Sequence, residues 1–299
     1  MSTLLQQKSL IEKFLNESPA HLSAHSFVNI YSWKDFFEFE IKLINQNLCV
    51  FAKNDLGCFL FLPPLGREIL ASTTQECFKI MRQINGGTGI ARIENVSERQ
   101  LGYFPDAQYD FYKKGYEYCY YRKDLAALQG NAFKSKRGLL NYFMKNYEGK
   151  LLPFESDMAE ICLRLYDHWA LERQLKHRED VYVQMLNENR LVHQLVLKHY
   201  RELGLIGRVV VESENPVAYT FGYPINEAIF CIFLEVADLK FKGLSTFVFN
   251  QFCADAELAR FKFINVMDDF ELDNIAQTKL SFRPVMLCPS YIVTEKESR

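Results

Sequence analysis

The sequence predicts an α/β (α+β) protein that contains two copies of one arrangement, each a mixed sheet with a central hairpin flanked by helices. Its 299 residues suffice for two domains of ordinary size. Apolar residues make up 48% of the chain, so each copy can bury a core. The order hairpin, helix, strand, short helix, aromatic strand occurs twice, which predicts a duplication.

The first copy is expected over residues 1–130. A helix pattern over 4–16 precedes "NLCVFAKNDLGCFLFL", two strands around an Asn-Asp-Leu-Gly turn, which is typical of a hairpin. Apolar residues then recur at helical spacing over 66–84 and stop at a Gly-Gly pair. A strand in "GIARIENV", a short helix opened by Ser97 and an aromatic strand in "YEYCYYRKDL" complete the copy.

The second copy is expected over residues 151–299. It opens with helix patterns over 155–176 and 183–203, and a strand and the hairpin "VAYTFGYPINEAIFCIFLEV" follow. A helix over 245–258, the strand "FKFINV", the helix "ELDNIAQTKL" and the strand "VMLCPSYIV" repeat the order of the first copy. Residues 131–150 are basic and predict a helix over 133–147, which we interpret as a connector between the copies.

The composition excludes several classes of protein. A net charge of −2 gives no overall basic field for DNA. The eight cysteines form no CxxC pair and the six histidines are scattered, which argues against a metal site and against a secreted disulfide framework. No run of about 18 apolar residues predicts a membrane span. We therefore expect a cytoplasmic protein with reduced thiols, for which peripheral membrane contact stays open.

Three stretches carry a resemblance to a known family: "YRKDLAALQGNAFKSKRGLLNYF", "LEVADLKFKGLSTFVFNQF" and "FINVMDDFELDNIAQTKLSFRPVMLCPSYIV". They resemble the C-terminal domain family of phosphatidylglycerol lysyltransferases, of which this chain looks like a soluble stand-alone member. The element order resembles the GCN5-related N-acetyltransferase fold, in tandem as in Fem-type peptidyltransferases. The chain departs from the family pattern at Gly138, where Asn is frequent, and at Phe270-Glu271, where a glycine commonly follows Asp269.

The turn between the strand "IFCIFLEV" and the next helix is a candidate for binding donor phosphates. In the superfamily this turn holds the coenzyme A pyrophosphate on backbone N–H groups at a helix N-terminus. The matching residues here are Lys240, Phe241, Lys242, Gly243, Leu244 and Ser245. A solvated turn with a helix cap at Ser245 is the alternative. In either case the turn is expected at the surface, where a side chain at Gly243 should cost little stability.

Three residues are candidates for catalysis. Glu235 ends an apolar strand and could orient an amine or act as a general base, or could point to solvent. Asp269 matches the family's aspartate and could hold a substrate amine or cap the following helix. Lys279 could offset charge on an ester or phosphate, or lie on a solvated helix face. Gln277 stands where many acetyltransferases have the tyrosine that protonates a leaving thiolate.

Four further residues are candidates for binding substrate. Lys136 and Arg137 lie in the basic connector, where a phosphate-binding face and a solvated face are both open. Asn265 occupies the asparagine of the family's C-terminal motif, and Arg283 adds a cation after the last helix. The resemblance implies that these residues contact the substrate.

The resemblance implies an acyl- or aminoacyltransferase that moves its group from a phosphate-containing donor to an amine or hydroxyl. Aminoacyl-tRNA and acyl-coenzyme A are the candidate donors, and no tightly bound cofactor or metal is expected. The acceptor is a small molecule, a lipid or a peptide. Because the thiolate-protonating tyrosine is replaced, a ligand-binding or regulatory protein with a decayed acetyltransferase site is the alternative.

Overall fold

The computed structural model describes residues 3–18, 21–87, 91–176 and 178–296. The chain divides into two compact units. Unit 1 comprises Met1–Tyr118, Met267–Ala276 and Met286–Arg299, and unit 2 comprises Cys119–Val266 and Gln277–Val285. The expected domain ranges were 1–130, 131–150 and 151–299. In the structure, two C-terminal segments belong to unit 1, and the expected connector belongs to unit 2.

Seven of the nine described helices lie close to predicted patterns, the exceptions being α2 and α4. Their bounds are α1 (Lys8–Glu17), α2 (Phe27–Ser32), α3 (Ala71–Asn85), α4 (Arg122–Ala127), α5 (Lys134–Asn146), α6 (Ala159–Gln174), α7 (Asp180–Leu203), α8 (Leu244–Ala254) and α9 (Asp273–Leu280). Gly86 ends α3 in the left-handed conformation, as the Gly-Gly pair predicted. Ser97 opens a 3₁₀ helix over Glu98–Tyr103 through a capping box with Gln100.

Both units contain β-strands. Their bounds are β1 (Glu38–Ile44), β2 (Asn47–Asn54), β3 (Gly57–Leu60), β4 (Ile93–Ser97), β5 (Tyr109–Tyr121), β6 (Lys150–Pro153), β7 (Ile206–Glu212), β8 (Asn215–Pro224), β9 (Ile229–Ala237), β10 (Phe263–Asn265) and β11 (Met286–Glu295). Sequence patterns did not predict α2, β1, α4 and β6. The last two are short, at six and four residues.

Unit 1 has the strand order β1-β2-β3-β4-β11-β5. The β2–β3 hairpin turns at the predicted Asn54–Gly57, and β3 pairs with β4 in parallel at Leu60 and Ile93. The C-terminal strand β11 is antiparallel to β4, with Ser290 opposite Ser97. A strand from the far end of the sequence therefore completes this sheet, and the sequence repeat did not predict it there.

Unit 2 has the strand order β10-β9-β8-β7-β6, and the last residues of β5 lie on the other side of β10. The β8–β9 hairpin is antiparallel, and β9 and β10 are parallel. In both units a hairpin is thus followed by a helix and a parallel strand, which is the predicted repeat of mixed sheets with central hairpins.

Helix α5 is part of the core of unit 2. Phe143 is fully buried, and its ring centroid lies 4.6 Å from that of Phe247 on α8. Val210 and Ala218 from the sheet belong to the same buried cluster. The helix expected to connect the copies therefore stabilises unit 2 by burying apolar surface against it.

Composition led to two predictions, one on the state of the cysteines and one on membrane-spanning segments. All eight cysteines are free thiols, and seven of them are buried. Among the described residues, none of the helices combines the length and the apolar character needed to span a bilayer.

Candidate functional site in unit 2

The strands β9 and β10 separate partway along their length. Their last paired residues are Cys231 and Asn265, and β9 continues beyond that point to Ala237. A register shift in the β8–β9 pairing leaves Phe233 as an extra residue between Ile232 and Leu234. Such a bulge bends a strand, and the splayed strands leave a space next to β9.

This space is a cavity of about 390 Å³ inside unit 2. Its size falls within the range of small-molecule sites. Its wall is largely aromatic and aliphatic with a few polar groups, and it is formed by Tyr120, Lys136, Leu139, Ile232, Phe233, Glu235, Ser245, Thr246, Phe249, Val266, Thr278, Lys279 and Phe282.

The first turn of α8 contributes Ser245 and Thr246 to the wall. Leu244 N–H donates to the carbonyl of Phe241, and Phe247 N–H makes the first intrahelical bond to Gly243. The N–H groups of Ser245 and Thr246 lie between those of Leu244 and Phe247 in the first turn, where the helix itself offers no carbonyl acceptor. Since the helix dipole is positive at this end, the first turn favours a negative or carbonyl oxygen in the cavity.

Glu235 is the carboxylic acid of the cavity wall. Its Oε2 atom is buried and has no hydrogen-bond partner among the described residues. Burial raises the pKa of Glu235 to about 8, so the carboxyl holds its proton over most of the neutral range. Directly opposite on β8 lies Thr220, whose hydroxyl is also buried without a partner in the described structure. The sequence left open a solvent-facing Glu235, and the structure places it in the cavity.

Two lysines reach the same cavity from different helices. The Lys279 ammonium donates to the carbonyl of Val266 at 2.7 Å, and the Tyr120 hydroxyl donates to the Lys279 carbonyl at 2.9 Å. The Lys136 ammonium lies 3.9 Å from the centre of the Phe282 ring. Burial lowers the pKa of Lys136, and within the described part of the chain no carboxylate lies within 4 Å of its ammonium. Both lysines were sequence candidates.

Arg137 has a structural position instead. Its guanidinium donates to the carbonyl of Leu128 and, at 2.6 Å, to the carbonyl of Gly130. These bonds hold the chain between α4 and α5, and Arg137 is not part of the cavity wall.

In the turn at 240–245, Ser245 is the residue that lines the cavity. Phe241 packs edge-on against Tyr147, with centroids 5.1 Å apart, and Leu244 is fully buried. Lys242 lies over the Tyr142 ring at 4.7 Å. The N–H of Lys240 donates to Asp238 Oδ1, which closes the turn on itself. Side chains of α5 and of Tyr147, the residue that follows it, therefore occupy one side of this turn.

The remaining candidates lie elsewhere. Asp269 belongs to unit 1, where it accepts the Tyr118 hydroxyl at 2.5 Å and the Glu271 N–H at 3.0 Å. Asn265 is fully buried on β10, and Arg283 is exposed after α9 with a φ of +59°. The structure thus joins Glu235, Lys279, Lys136 and Ser245 in one cavity, which is not lined by the other candidates.

Among the described residues of unit 2, one group of side chains has the types that bind metals. Ligand atoms of His168, Glu172 and Asp238 lie within 4.8 Å of one another. His168 and Glu172 are an i,i+4 pair on α6, and Asp238 already accepts the Lys240 N–H. These local contacts account for the group.

Most of the aromatic wall was not found from the sequence. Phe249 and Phe282 pack edge-to-face with centroids 4.8 Å apart, although 33 residues separate them in the chain. Among 25 phenylalanines, spacing gives no signal that these two share a cavity. Val266 could have been suspected, because it follows the strand from which β9 separates.

Similarity to known proteins extends over almost the whole chain. A family model described as "Phosphatidylglycerol lysyltransferase, C-terminal" matches residues 16–294. No match was found among the curated proteins. Several solved structures share the fold. A conserved protein of unknown function from Bacteroides thetaiotaomicron is 23% identical with a TM-score of 0.87, and the match covers 98% of this chain and 97% of that chain.

Two more distant structures bear on the fold class. L-PGS from Bacillus licheniformis is 16% identical with a TM-score of 0.68, and the match covers 97% of this chain and 92% of that chain. FemX is 8% identical with a TM-score of 0.55, and the match covers 99% and 97% of the two chains. These likenesses confirm the predicted tandem acetyltransferase-like fold.

Proposed function

From the fact that the chain belongs to the family of phosphatidylglycerol lysyltransferase C-terminal domains, and from its cavity, we propose that it is an aminoacyltransferase. The donor is an aminoacyl-tRNA, and the acceptor offers a hydroxyl or an amine. The observation that carries this proposal is that one cavity is lined by the first turn of α8 and by the carboxyl of Glu235, whose buried Oε2 atom has no hydrogen-bond partner among the described residues.

The cavity supports each step of aminoacyl transfer. The ester carbonyl lies at the first turn of α8, where N–H groups stabilise the negative charge that develops on its oxygen. Glu235, when ionised, takes the proton of the attacking O–H or N–H group. As the ester C–O bond breaks, Glu235 returns this proton to the leaving ribose oxygen. Lys279 lies in the same wall and offsets the negative charge.

The turn at 240–245 favours aminoacyl-tRNA over coenzyme A. A coenzyme A pyrophosphate would need the backbone of this turn, but Gly243 is packed against α5 and Phe241 against Tyr147, the residue that follows α5. Leu244 N–H is already bonded within the turn. The proposed donor needs only the part of α8 that lines the cavity.

The test is discharge of labelled aminoacyl-tRNA. The protein is incubated with separately charged tRNA pools and with acceptors that include vesicles containing phosphatidylglycerol, and transfer of label to the acceptor is measured. We expect acceptor-dependent transfer that falls by about a hundredfold in Glu235→Gln, the usual scale of lost proton transfer. Acetyl-coenzyme A is assayed in parallel by thiol release.

Each alternative gives a different result. Thiol release without tRNA discharge would overturn the proposal in favour of an acyl-coenzyme A enzyme. Absence of both reactions, together with ligand binding that Glu235→Gln weakens, would favour a ligand-binding protein.

A further inference from the structure

We infer that the group transferred by this protein carries a carboxylate, and that Lys136 is the residue that selects it. The donor is thus an acidic aminoacyl group rather than the lysyl group after which the family is described. This inference rests on the proposed function, because it specifies the group that enters the cavity of unit 2.

The first argument is the position of the Lys136 ammonium. It lies in the cavity wall over the Phe282 ring, and no carboxylate of the described residues neutralises it within 4 Å. A cation–π contact holds an ammonium in place without cancelling its charge. A partly buried cation without a counter-ion is costly, so a negative group in the cavity would relieve that cost.

The second argument is the balance of charge in the cavity wall. Among the described residues that form the wall, Lys136 and Lys279 are the cations and Glu235 is the one carboxylic acid. Because burial holds the pKa of Glu235 at about 8, this carboxyl contributes little negative charge at neutral pH. The N-terminal end of the α8 dipole adds further positive charge to the cavity. A lysyl ammonium would meet the like charge of Lys136 in a poorly solvated space, whereas a carboxylate would meet an opposite one.

The third argument is that the neighbouring basic residues on α5 lie in different places. Arg137, the next cation along the helix, is bonded to the carbonyls of Leu128 and Gly130. Lys134 is exposed and lies outside the cavity wall. Of the three basic residues at the start of α5, Lys136 is therefore the one that faces the cavity.

The experiment compares three amino acid α-amides as stand-ins for the aminoacyl ester. Isoglutamine carries a side-chain carboxylate, lysinamide an ammonium and norleucinamide no charge, while the α-amine is common to all. Dissociation constants are measured by calorimetry at neutral pH and low salt. We expect isoglutamine to bind at least about tenfold more tightly than lysinamide, the effect of one hydrogen bond to a charged group.

Variants assign the preference to Lys136. In Lys136→Met the isoglutamine affinity should fall by about tenfold, while norleucinamide binds as in the wild type. Lys136→Arg should retain the preference for isoglutamine. This result would show that the loss of affinity in Lys136→Met does not arise from misfolding. Lys134→Met is the matched control on the same helix and should behave as the wild type.

Two outcomes distinguish failure of this inference from failure of the proposed function. If all three amides bind alike, or lysinamide binds most tightly, this inference is overturned while the aminoacyl cavity stands. If none of the amides binds, the proposed function loses its donor site and the inference falls with it.

Discussion

Gly243 lies directly beneath the backbone of α5, so that a Cβ added to it would stand 2.3 Å from the carbonyl oxygen of Leu139. The residue also has a φ of +90°, a conformation that side chains disfavour. The close approach of α5 to α8 thus accounts for the glycine of the expected phosphate turn without a ligand. The expectation that this position would tolerate a side chain is wrong, since the obstacle is backbone.

The substitution Gly243→Ala should therefore destabilise the protein, by about 2 kcal/mol or more, because α5 must move or the turn must be strained. Gly138→Ala is the matched control, since a Cβ there meets nothing within 4 Å. In a helix interior that change should be neutral or stabilising. Thermal unfolding of both variants checks the prediction, and equal stability of the two would contradict it.

The turn after Asp269 gives a second prediction. Phe270 and Glu271 have φ values of +52° and +58°, so the positions where the family commonly has glycine are left-handed here. Glu271→Gly should raise the free energy of unfolding by about 0.5–1 kcal/mol, because it removes this strain. Glu179→Gly, at a residue with a φ of −63°, should bring no gain. Denaturant unfolding compares the two variants, and a loss of stability in Glu271→Gly would refute the prediction.

Glu235 should make the stability of the protein depend on pH. Its pKa rises from an ordinary value of 4.5 to about 8 in the folded state, so the folded protein binds this proton more tightly than the unfolded chain. The resulting stabilisation is complete below pH 4.5 and is lost as the pH rises towards 8. The melting temperature of Glu235→Gln relative to the wild type should therefore increase between pH 5 and 8, by more than about 2 °C. A difference that does not change with pH would show that the carboxyl titrates normally.

The same carboxyl should set the pH dependence of the reaction. If Glu235 acts as a general base, kcat/KM rises with pH and levels off above about 8, where the carboxyl is ionised. Glu235→Asp should keep a rising profile with a lower plateau, because the shorter side chain keeps the acid but moves it. A profile of the wild type that is flat from pH 6 to 9 would exclude Glu235 as the base.

Asp269 and Tyr118 should be coupled in stability. The carboxylate accepts the tyrosine hydroxyl, and the pKa of Tyr118 rises to about 12 through burial and this hydrogen bond. In a double-mutant cycle with Tyr118→Phe and Asp269→Ala, each of which removes one partner of the hydrogen bond, we expect a coupling energy of about 1–2 kcal/mol in unfolding. Additive effects would mean that the hydrogen bond contributes nothing, and would leave Asp269 available for the substrate role that the sequence suggested.

The sequence determined the order of the elements and the two hairpins, because periodicity and turn residues are local properties of the chain. It also placed Glu235 at the end of an apolar strand and Ser245 at the start of a helix, which are two sides of the cavity. Local patterns could go no further, because a strand end and a helix start can belong to many arrangements.

Only the tertiary structure decided where β9 and β10 separate, that β11 completes unit 1, and which of two adjacent cations, Lys136 or Arg137, reaches the cavity. Neighbours on a helix point about 100° apart, so a small rotation of α5 exchanges their roles. That rotation is fixed by contacts between distant residues, such as Phe143 with Phe247 and Gly243 with Leu139. Such contacts depend on the packing of the whole unit, for which a single sequence carries no local signal.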